Sequence, residues 1–383
     1  MPIASPEFIW QRPDWPRWSW DEASIGPQLS AIHAQRASLG AHLSALDDEH
    51  RGAIVAELMT RETVSTSAIE GVKVDAAAAR SSIMRRLKLG VAPGREWQVT
   101  PQTIGLIDIL ADCAADRSPL THARIKDWHQ ALFPAGKLGL MPLLAGEYRA
   151  SVEPMQVVSA TRHGEKVHYE APPSDRLDAE METFLAWFND HSVELDPVLR
   201  GCLAHLWFET LHPFEDGNGR IGRAIWDLAM MQGMPQSAAN QARIWAVSTA
   251  IERDKNEYWN QLERAQRGTP DVTQWLRYAL SIVAASLQES SACVERVMQV
   301  TRFWLRHREA PLNARQRKAL NLALSGNELD DGWLTNRRYL KLSGANTPLT
   351  ASRDLAHLEQ LGIIRKDPTT GGRSTRYSIV LSP

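Results

Sequence analysis

Twelve consecutive residues near the middle of the chain could together transfer a phosphate-containing group. Residues 212–223 read His-Pro-Phe-Glu-Asp-Gly-Asn-Gly-Arg-Ile-Gly-Arg. The imidazole of His212 can accept a proton from a hydroxyl near neutral pH. The carboxylate of Asp216 is a ligand that can hold Mg²⁺ against phosphates. These residue types suit transfer from a nucleotide to an alcohol.

The spacing predicts that this motif is a tight loop that leads into a helix. Apolar residues with helical periodicity lie on both sides of it. Free N–H groups at the start of a helix bind anions. Gly217 and Gly219 are expected to take positive φ and bring the backbone, with Asn218 between them, close to a phosphate chain. Arg220 and Arg223 share one helix face and can hold the same polyphosphate. The alternative is an ordinary helix–loop–helix connection with a glycine turn.

The motif resembles the signature of the Fic (filamentation-induced-by-cAMP) family, which is His-x-Phe-x-Asp/Glu-Gly-Asn-Gly-x-x-x-Arg. Every position of that signature matches here. The resemblance implies a helical core that transfers AMP from ATP to a Ser, Thr or Tyr hydroxyl of a protein. It also implies that His212 is the general base, that Asp216 binds Mg²⁺, and that Phe214 packs inward to fix the loop. The phosphate-binding set would be Gly217, Asn218, Gly219, Arg220 and Arg223.

Composition is that of a folded, water-soluble protein without a membrane segment. The 383 residues are 43% hydrophobic and 23% charged, with a formal net charge of −2. Three scattered cysteines argue against a disulfide framework or a zinc site and favour a reducing compartment. The N-terminus has no signal pattern, and no apolar run approaches the length of a membrane span. We therefore expect a cytoplasmic protein that does not bind membranes.

The predicted fold is mainly α, with a Fic helical core, a small β-hairpin flap, an N-terminal helical region and a C-terminal winged helix. The predicted boundaries are residues 1–95 for the N-terminal region with an inhibitory helix, 96–295 for the catalytic core, 296–310 for a linker and 311–383 for the winged helix. A break is expected at residues 90–94, where Gly and Pro interrupt the helical pattern. Continuous helices are predicted at 248–267 and 334–342, among others.

Residues 146–173 depart from the helical pattern. Tyr148, Val152, Val157 and Val167 are typical of strands, and the Arg-His-Gly-Glu sequence at 162–165 indicates a hairpin turn. By the Fic resemblance, this hairpin is the flap that holds a segment of an unidentified target protein as an added strand. The alternative is a surface hairpin with no binding role.

Residues 66–71 read Thr-Ser-Ala-Ile-Glu-Gly and resemble an inhibitory motif found beside Fic cores, Ser/Thr-x-x-x-Glu-Gly/Asn. Thr66 and Glu70 are one helical turn apart, and Gly71 follows. The resemblance implies that Glu70 pairs with Arg223 and occupies the space that the ATP γ-phosphate needs. The alternative is an ordinary helix end in which Gly71 is the C′ residue.

The sequence gives weaker evidence for an adenine pocket than for the phosphate loop. Tyr258 and Trp259 lie where Fic proteins carry aromatic residues that wall the base, and a stacked base contributes about 1–3 kcal/mol. Core packing explains these two residues equally well. The loop at 212–223 would contact the phosphates of a nucleotide and not its base, so it does not distinguish ATP from other nucleotides.

The C-terminal residues combine three helical patterns with a strand hairpin, which resembles a winged helix. From residue 313 onward there are 11 basic and 6 acidic residues, so positive charge is concentrated here. DNA contact would run through Thr350, Ser352, Arg353 and the wing residues Lys366, Arg373 and Arg376. Docking of a protein is the alternative. Asp354 and Glu359 on the third helix weaken the DNA interpretation.

The leading hypothesis is an ATP- and Mg²⁺-dependent protein adenylyltransferase that is autoinhibited by Glu70. A second hypothesis keeps the site but removes AMP from a modified target, or transfers another nucleotide-derived group. A third makes the chain a DNA-binding regulator whose Fic core senses nucleotides. A homodimer is expected by analogy alone.

Overall fold

A computed structural model describes residues 7–89, 99–161, 164–191, 194–234, 243–324 and 333–381. It is mainly helical, as predicted. The chain forms two compact units, Met1–Val294 and Glu295–Pro383. The predicted break at 90–94 and the turn residues Arg162 and His163 lie outside the described residues.

Eleven helices begin in the described part of the first unit, and the last of them runs across the division. They are α1 (Glu22–Ser44), α2 (Asp48–Ile69), α3 (Ala76–Arg86), α4 (Pro101–Ala115), α5 (His122–Leu132), α6 (Ser174–Ala186), α7 (Pro197–Leu211), α8 (Asn218–Gln232), α9 (Val247–Arg253), α10 (Lys255–Gln266) and α11 (Thr273–Arg306). Side-chain oxygens cap several starts: Asp47 accepts from the His50 N–H, and Thr121 accepts from the Arg124 N–H.

Two antiparallel hairpins interrupt this helical unit. The first pairs β1 (Lys137–Leu138) with β2 (Met141–Pro142). The second pairs β3 (Gln156–Thr161) with β4 (Gly164–Glu170), with an irregularity in register between Val157 and Val158. The second hairpin is the one that the sequence predicts, although Tyr148 and Val152 precede its strands. The first was not predicted.

The centre of the first unit is the helix pair α7 and α8. Every residue of α7 from Val198 to Leu211 is buried, and α8 is buried over most of its length. Gly201 lets the two helices approach, because a Cβ there would lie 2.5 Å from the Trp226 ring. A helix that is buried on all sides must lie inside the protein. The loop between α7 and α8 is therefore held by the core on both sides.

A buried charge network joins α2 to α8. Arg243 donates from Nε to the Asp227 Oδ2 at 2.7 Å, and its Nη2 lies 3.4 Å from the Glu62 Oε2. The other Asp227 oxygen accepts from the Trp245 indole, and Glu62 accepts from the Ser248 N–H and hydroxyl. All three charged side chains are almost fully buried. Their mutual pairing is what makes these charges tolerable in the interior.

The second unit contains α12 (Ala314–Leu324), β5 (Leu334–Thr335), α13 (Asn336–Ser343), α14 (Pro348–Gln360), β6 (Ile364–Lys366) and β7 (Arg376–Ile379). The three strands form one antiparallel sheet in the order β5-β7-β6. Gly344 ends α13 in the left-handed conformation, with φ 72°. Thr347 caps the start of α14.

Two predicted helices were wrong in detail. Residues 248–267 form two helices because Asp254 leaves the helical conformation, at φ −141°, and its side chain caps α10 by accepting from the Glu257 N–H. Residues 334–342 begin as β5, where Leu334 pairs with Tyr377, and Thr335 then caps α13. In both cases a capping side chain ends one element and starts the next. Within the described ranges, no helix is long and apolar enough to cross a membrane.

Gly105 offers a test of the packing between α4 and α5. A Cβ at this position would collide with the Ala131 backbone carbonyl of α5. We expect Gly105→Ala to lower the free energy of unfolding by about 2 kcal/mol, because overpacking forces backbone to move. Chemical denaturation followed by circular dichroism measures this change.

Gly26 provides the control, since it is a helical glycine in α1 with no heavy atom within 4 Å of an added Cβ. Gly26→Ala should change stability by less than about 1 kcal/mol. Equal effects of the two substitutions would contradict the packing argument.

Candidate active site

The loop between α7 and α8 starts and ends in left-handed backbone. His212 has φ 47° and ψ 58°, and Gly217 has φ 84°. A side chain at Gly217 would also meet the Phe133 ring, 2.9 Å from an added Cβ. Gly219 does not take the predicted positive φ, because it already belongs to α8. Its missing side chain instead leaves room for the Glu70 carboxylate, which a Cβ would contact.

Phe214 and Asn218 fix the loop from inside. Phe214 is fully buried, as expected. The Asn218 side chain accepts from the Phe214 N–H at 2.9 Å and donates to the Phe214 carbonyl at 2.8 Å. The amide of Asn218 is therefore used within the protein, and its contribution to an anion site would be the backbone N–H at the start of α8.

His129 of α5 is a second element of the loop that sequence reasoning missed. Its ring stacks on Phe214 at a centroid distance of 4.0 Å. Its Nε2 donates to the Asp216 carbonyl at 3.1 Å, and its Nδ1 accepts from the Gly146 N–H at 2.9 Å. Burial lowers the pKa of His129 to about 4, which keeps the ring neutral in this arrangement. No signal in the loop sequence points to His129, because it lies on a separate helix that only the fold brings to the loop.

Arg149 is the other missed residue. Its guanidinium donates to the carbonyls of His212 at 2.9 Å, Leu211 at 3.2 Å and Pro172 at 2.5 Å. Its own N–H donates to the Pro213 carbonyl at 2.9 Å. A cation placed on the free carbonyls at the end of α7 is electrostatically favourable. Arg149 thus ties the segment before the flap hairpin to the backbone of His212.

His212 lies at the end of α7 with its side chain largely buried. The Nδ1 atom is 3.9 Å from the Glu209 Oε2 and has no hydrogen-bond partner among the described residues. Burial lowers the pKa of His212 to about 4. The imidazole is therefore neutral near pH 7 and able to accept a proton.

Asp216 and Arg220 lie on the outer side of the loop. Asp216 Oδ1 accepts from the Gly217 N–H and lies 3.4 Å from the Arg220 Nη2. The Asp216 side chain is one-third exposed. Its second oxygen can thus meet a solvent-borne ligand. Among the described residues, no group of three or more His, Cys, Asp or Glu side chains could hold a metal. A single carboxylate fits Mg²⁺ that is bound mainly through phosphates and water.

Arg223 and the end of α2 meet in the interior. Arg223 donates from Nε to the Thr66 hydroxyl at 2.8 Å and from Nη2 to the Thr66 carbonyl at 3.2 Å and the Glu70 Oε1 at 2.7 Å. Burial lowers the pKa of Arg223, but the Glu70 carboxylate more than offsets this and the net change is upward. The structure thus contains the predicted ion pair.

Gly71 ends α2 with φ 75°, and the Val72 N–H donates back to the Ser67 carbonyl at 2.9 Å. This is a Schellman-type helix end. The two interpretations of residues 66–71 are therefore compatible: Gly71 is the C′ residue, and the adjoining Glu70 still reaches Arg223. Whether the contact inhibits an activity remains a prediction.

Tyr258 and Trp259 have different environments. Tyr258 is buried, and its hydroxyl lies 2.8 Å from the Nε2 of His205 on α7. Trp259 is 45% exposed, with the Lys255 ammonium 5.3 Å from its ring centroid. The two residues do not form one wall. Trp259 alone has an accessible face for a base.

Two family models match this chain. Residues 119–230 match the Fic/DOC family, and residues 8–89 match a domain of unknown function, DUF4172. The Fic/DOC match includes α5, the flap hairpin and the entire loop between α7 and α8. The central part of the chain is therefore similar to the Fic/DOC family, and the N-terminal part is similar to DUF4172.

Two named proteins are similar in sequence to part of this chain. The chain is 33% identical over 111 residues to the protein adenylyltransferase fic-1 of Caenorhabditis elegans, which is 28% of this chain and 19% of that protein. It is 24% identical over 122 residues to a probable protein adenylyltransferase of Aquifex aeolicus, which is 32% of this chain and 34% of that protein. The chain thus spans about a third or less of the length of these relatives.

The similarity in fold to solved structures covers more of the chain than the sequence similarity to these relatives does. A Fic family protein from Desulfovibrio desulfuricans G20 has a TM-score of 0.53 at 18% identity, and the match covers 92% of this chain and 96% of that one. Fic-1 from C. elegans has a TM-score of 0.50 at 20% identity over 71% of this chain and 73% of that one. At these identities the comparison shows the Fic fold alone.

The amide of Asn218 provides a test of how the loop is held. Asn218→Ala removes both partners of the buried Phe214 peptide groups, and an unpaired buried polar group is costly. We expect the free energy of unfolding to fall by about 2 kcal/mol. Asn260→Ala, at an exposed position of α10, is the control and should change stability by less than about 0.5 kcal/mol. Similar stability of both variants would show that the loop does not depend on this amide.

Proposed function

We propose that this Fic/DOC-family protein is an adenylyltransferase that transfers AMP from ATP to a Ser, Thr or Tyr hydroxyl of a target protein, with Glu70 as its inhibitor. The observation that carries the proposal is the loop between α7 and α8. It places a neutral, buried imidazole (His212) and a partly exposed carboxylate (Asp216) directly before the free N–H groups of α8. This arrangement suits an acceptor hydroxyl on one side and a polyphosphate on the other.

The phosphates would be held by chain groups at the start of α8. The N–H groups of Gly217, Asn218 and Gly219 and the guanidinium of Arg220 form the near part of the site. Arg223, one turn further along α8, would receive the γ-phosphate once Glu70 leaves it. Magnesium, when bound beside Asp216, would neutralise charge on the phosphate oxygens. Trp259 offers a face on which adenine could stack.

The chemistry then needs one proton acceptor. His212 takes the proton of the acceptor hydroxyl, and the hydroxyl oxygen forms a bond to the α-phosphorus. The bond from that phosphorus to the bridging oxygen breaks, and pyrophosphate leaves with the electron pair. The imidazolium afterwards returns its proton to water. The α8 N–H groups and Arg220 lie where they can stabilise the charge that grows on the phosphates during transfer.

The hairpin of β3 and β4 is the proposed holder of the target. It is a two-stranded sheet, and the outer edge of β3 could pair with a further strand. On β4, by contrast, main-chain carbonyls already accept from Arg267 and Trp10. Val157 and Val158 are partly exposed, at 39% and 43%. An added segment would gain main-chain hydrogen bonds that fix its register and side-chain contacts with these valines. Arg149 connects the segment that leads into this hairpin to the backbone of His212, so the hydroxyl would arrive beside the proton acceptor.

Glu70 would inhibit by competing for Arg223. Its carboxylate occupies the guanidinium and stands against Gly219 of the phosphate loop. A γ-phosphate and this carboxylate cannot share the same donors, and like charges repel at such distances. ATP would therefore bind with its phosphates displaced until Glu70 moves.

We expect Glu70→Gly to raise AMP transfer from α-labelled ATP by at least about tenfold, equivalent to about 1.4 kcal/mol. Glu70→Asp should give a smaller increase, since a shorter carboxylate retains charge but loses the 2.7 Å contact. The double variant Glu70→Gly/His212→Ala should lose the label. Equal labelling of wild type and Glu70→Gly would overturn the inhibitory role. Labelling that survives His212→Ala would remove His212 as the base.

The second compact unit favours a second candidate function, binding of duplex DNA by α14 and the β6–β7 hairpin. The two acidic residues that weakened this interpretation have different roles. Asp354 is buried and accepts from Asn313, Arg315 and Tyr339. Its charge is therefore used inside the unit. Glu359 remains exposed near the end of α14.

Asp367 is likewise paired, with Arg376. Glu359 is thus the remaining acidic side chain of the described part of this unit from 311 onward. The described part of this unit carries a larger number of exposed basic side chains: Arg317, Lys318, Arg337, Arg353, Arg365 and Lys366. The side chain of Arg373, also predicted as a contact, lies outside the described part of the chain. A surplus of exposed positive charge on a helix–turn–helix with an adjoining hairpin suits the phosphate backbone of DNA.

The full chain should bind a fluorescent duplex, with affinity that falls by a factor of about 10 or more between about 50 and 200 mM salt. Arg353→Glu/Lys366→Glu should weaken binding by at least about tenfold at the lower salt. Lys73→Glu/Arg85→Glu, which changes exposed residues of the first unit by the same net charge, is the control. No anisotropy change at low salt, or equal losses in the two double variants, would exclude this site.

A further inference from the structure

Three titratable side chains follow one another along α7 and its C-terminal end. His205 and Glu209 are one helical turn apart on one face of α7, and His212 follows as the left-handed residue that ends the helix. His205 and Glu209 are buried, and His212 is largely so. The Tyr258 hydroxyl contacts His205, but the proposed transfer reaction has so far assigned a task only to His212. The middle residue, Glu209, has none.

The packing of α8 places the Glu209 carboxyl group close to His212. Gly222 of α8 lies against it, because a Cβ there would be 2.8 Å from the Glu209 Oε1 and 3.0 Å from the His205 Nδ1. The other oxygen, Oε2, is 3.9 Å from the His212 Nδ1. The backbone carbonyl of Glu209 accepts from the Gln266 amide at 3.1 Å. The carboxyl group thus packs against Gly222 of α8 with one oxygen and faces His212 with the other.

One atom of each residue is buried without a hydrogen bond to any described residue. These atoms are Glu209 Oε1, the oxygen beside Gly222, and His212 Nδ1, the ring atom that faces Oε2. Unpaired buried polar atoms are rare and costly, and they often mark a group that acts during function. A separation of 3.9 Å is too long for a hydrogen bond at rest. Catalytic contacts of this kind commonly shorten when substrate is bound.

The surroundings favour one shared proton on this pair. Burial raises the pKa of Glu209 to about 8; Arg223 opposes this change and Glu70 reinforces it. Burial also lowers the pKa of His212 to about 4. Near pH 7 the acid is therefore protonated and the imidazole is free to accept a proton. The other groups that face Glu209 are His205, whose pKa burial lowers to about 3, and Tyr258, whose pKa burial raises.

We propose that Glu209 is a positioning residue for His212: its carboxyl group holds the Nδ1 edge of the imidazole so that Nε2 receives the proton, and its ionised form stabilises the imidazolium. This rests on the proposed function, in which His212 is the base. In the acid form Glu209 leaves His212 neutral and ready. In the carboxylate form it makes His212 a stronger proton acceptor, since an adjacent negative charge favours imidazolium.

The sign of the pH effect follows from this arrangement. A carboxyl group whose pKa lies above its ordinary value stays protonated until the pH approaches that higher value. Activity that depends on His212 should accordingly rise as the pH passes through the pKa of Glu209. Because Glu70 raises that pKa, the rise should come at lower pH when Glu70 is replaced by glycine.

The first experiment measures kcat/KM for AMP transfer against pH in the Glu70→Gly background, with and without Glu209→Gln. Near pH 7 the two proteins should agree within about threefold, since glutamine resembles the protonated acid. On the alkaline side the parent should rise and the glutamine variant should stay flat. Glu209→Asp should restore part of the rise. Glu180→Gln, a change at a buried glutamate of α6, is the control and should keep the full rise. Identical pH profiles for the parent and for Glu209→Gln would overturn the proposal.

The second experiment does not depend on any transfer activity. The ring nitrogens of His212, assigned by comparison with His212→Gln, are followed by nitrogen NMR against pH in the full-length chain. Their shifts should show a step near the pKa of Glu209, and Glu209→Gln should abolish that step while Glu180→Gln retains it. A step that persists in Glu209→Gln would overturn the coupling. If the step behaves as expected but no AMP is transferred, the proposed function fails and the contact between Glu209 and His212 stands.

Discussion

The buried guanidinium of Arg223 is the constraint on which the rest of this site depends. It is only 2% exposed, and a cation in the interior must be matched by acceptors and negative charge. Thr66 supplies two acceptors and Glu70 supplies the charge. Any anion that binds the start of α8 must replace that charge in the same place. Under the proposed function, a bound phosphate and the Glu70 carboxylate would meet the same electrostatic requirement at Arg223.

The loop in front of Arg223 is held by backbone contacts rather than by its own sequence alone. Arg149 occupies carbonyls at the end of α7, Asn218 clamps the peptide groups of Phe214, and His129 holds the Asp216 carbonyl. Each of these contacts uses a polar group that would otherwise be buried without a partner. The His212 imidazole and the second carboxylate oxygen of Asp216 take no part in these contacts. The proposed transfer would use both groups, and a rigid loop would keep them in position.

The sequence was sufficient for the loop because its residues are contiguous and their types are specific. It also predicted helices on both sides of the loop and the hairpin of β3 and β4, and the family resemblance implied the approach of Glu70 to Arg223. It could not find His129, Arg149 or Glu209, which act from other elements or through packing that only the folded chain creates. The prediction of helices from apolar periodicity was also wrong at Asp254 and Thr335. At each of these residues a capping hydrogen bond starts a new helix within a segment that was predicted to be one continuous helix. Likewise, the sequence did not indicate that Gly219 would belong to α8 and give room to the Glu70 carboxylate from a distant helix.

The position of Glu70 at the end of α2 decides how Arg223 can be released. Glu62, two turns earlier, is buried against Arg243 and Ser248, so withdrawing the whole helix would leave an uncompensated buried charge at a cost of about 3–5 kcal/mol. The Glu70 side chain is one-third exposed, and Gly71 beside it is already in left-handed backbone. Rotating this one side chain into water leaves the network at Glu62 intact, and the charge of the buried Arg223 is then matched only when another anion takes the place of Glu70. The same helix is therefore firmly anchored at its centre and adjustable at the residue that meets the phosphate site.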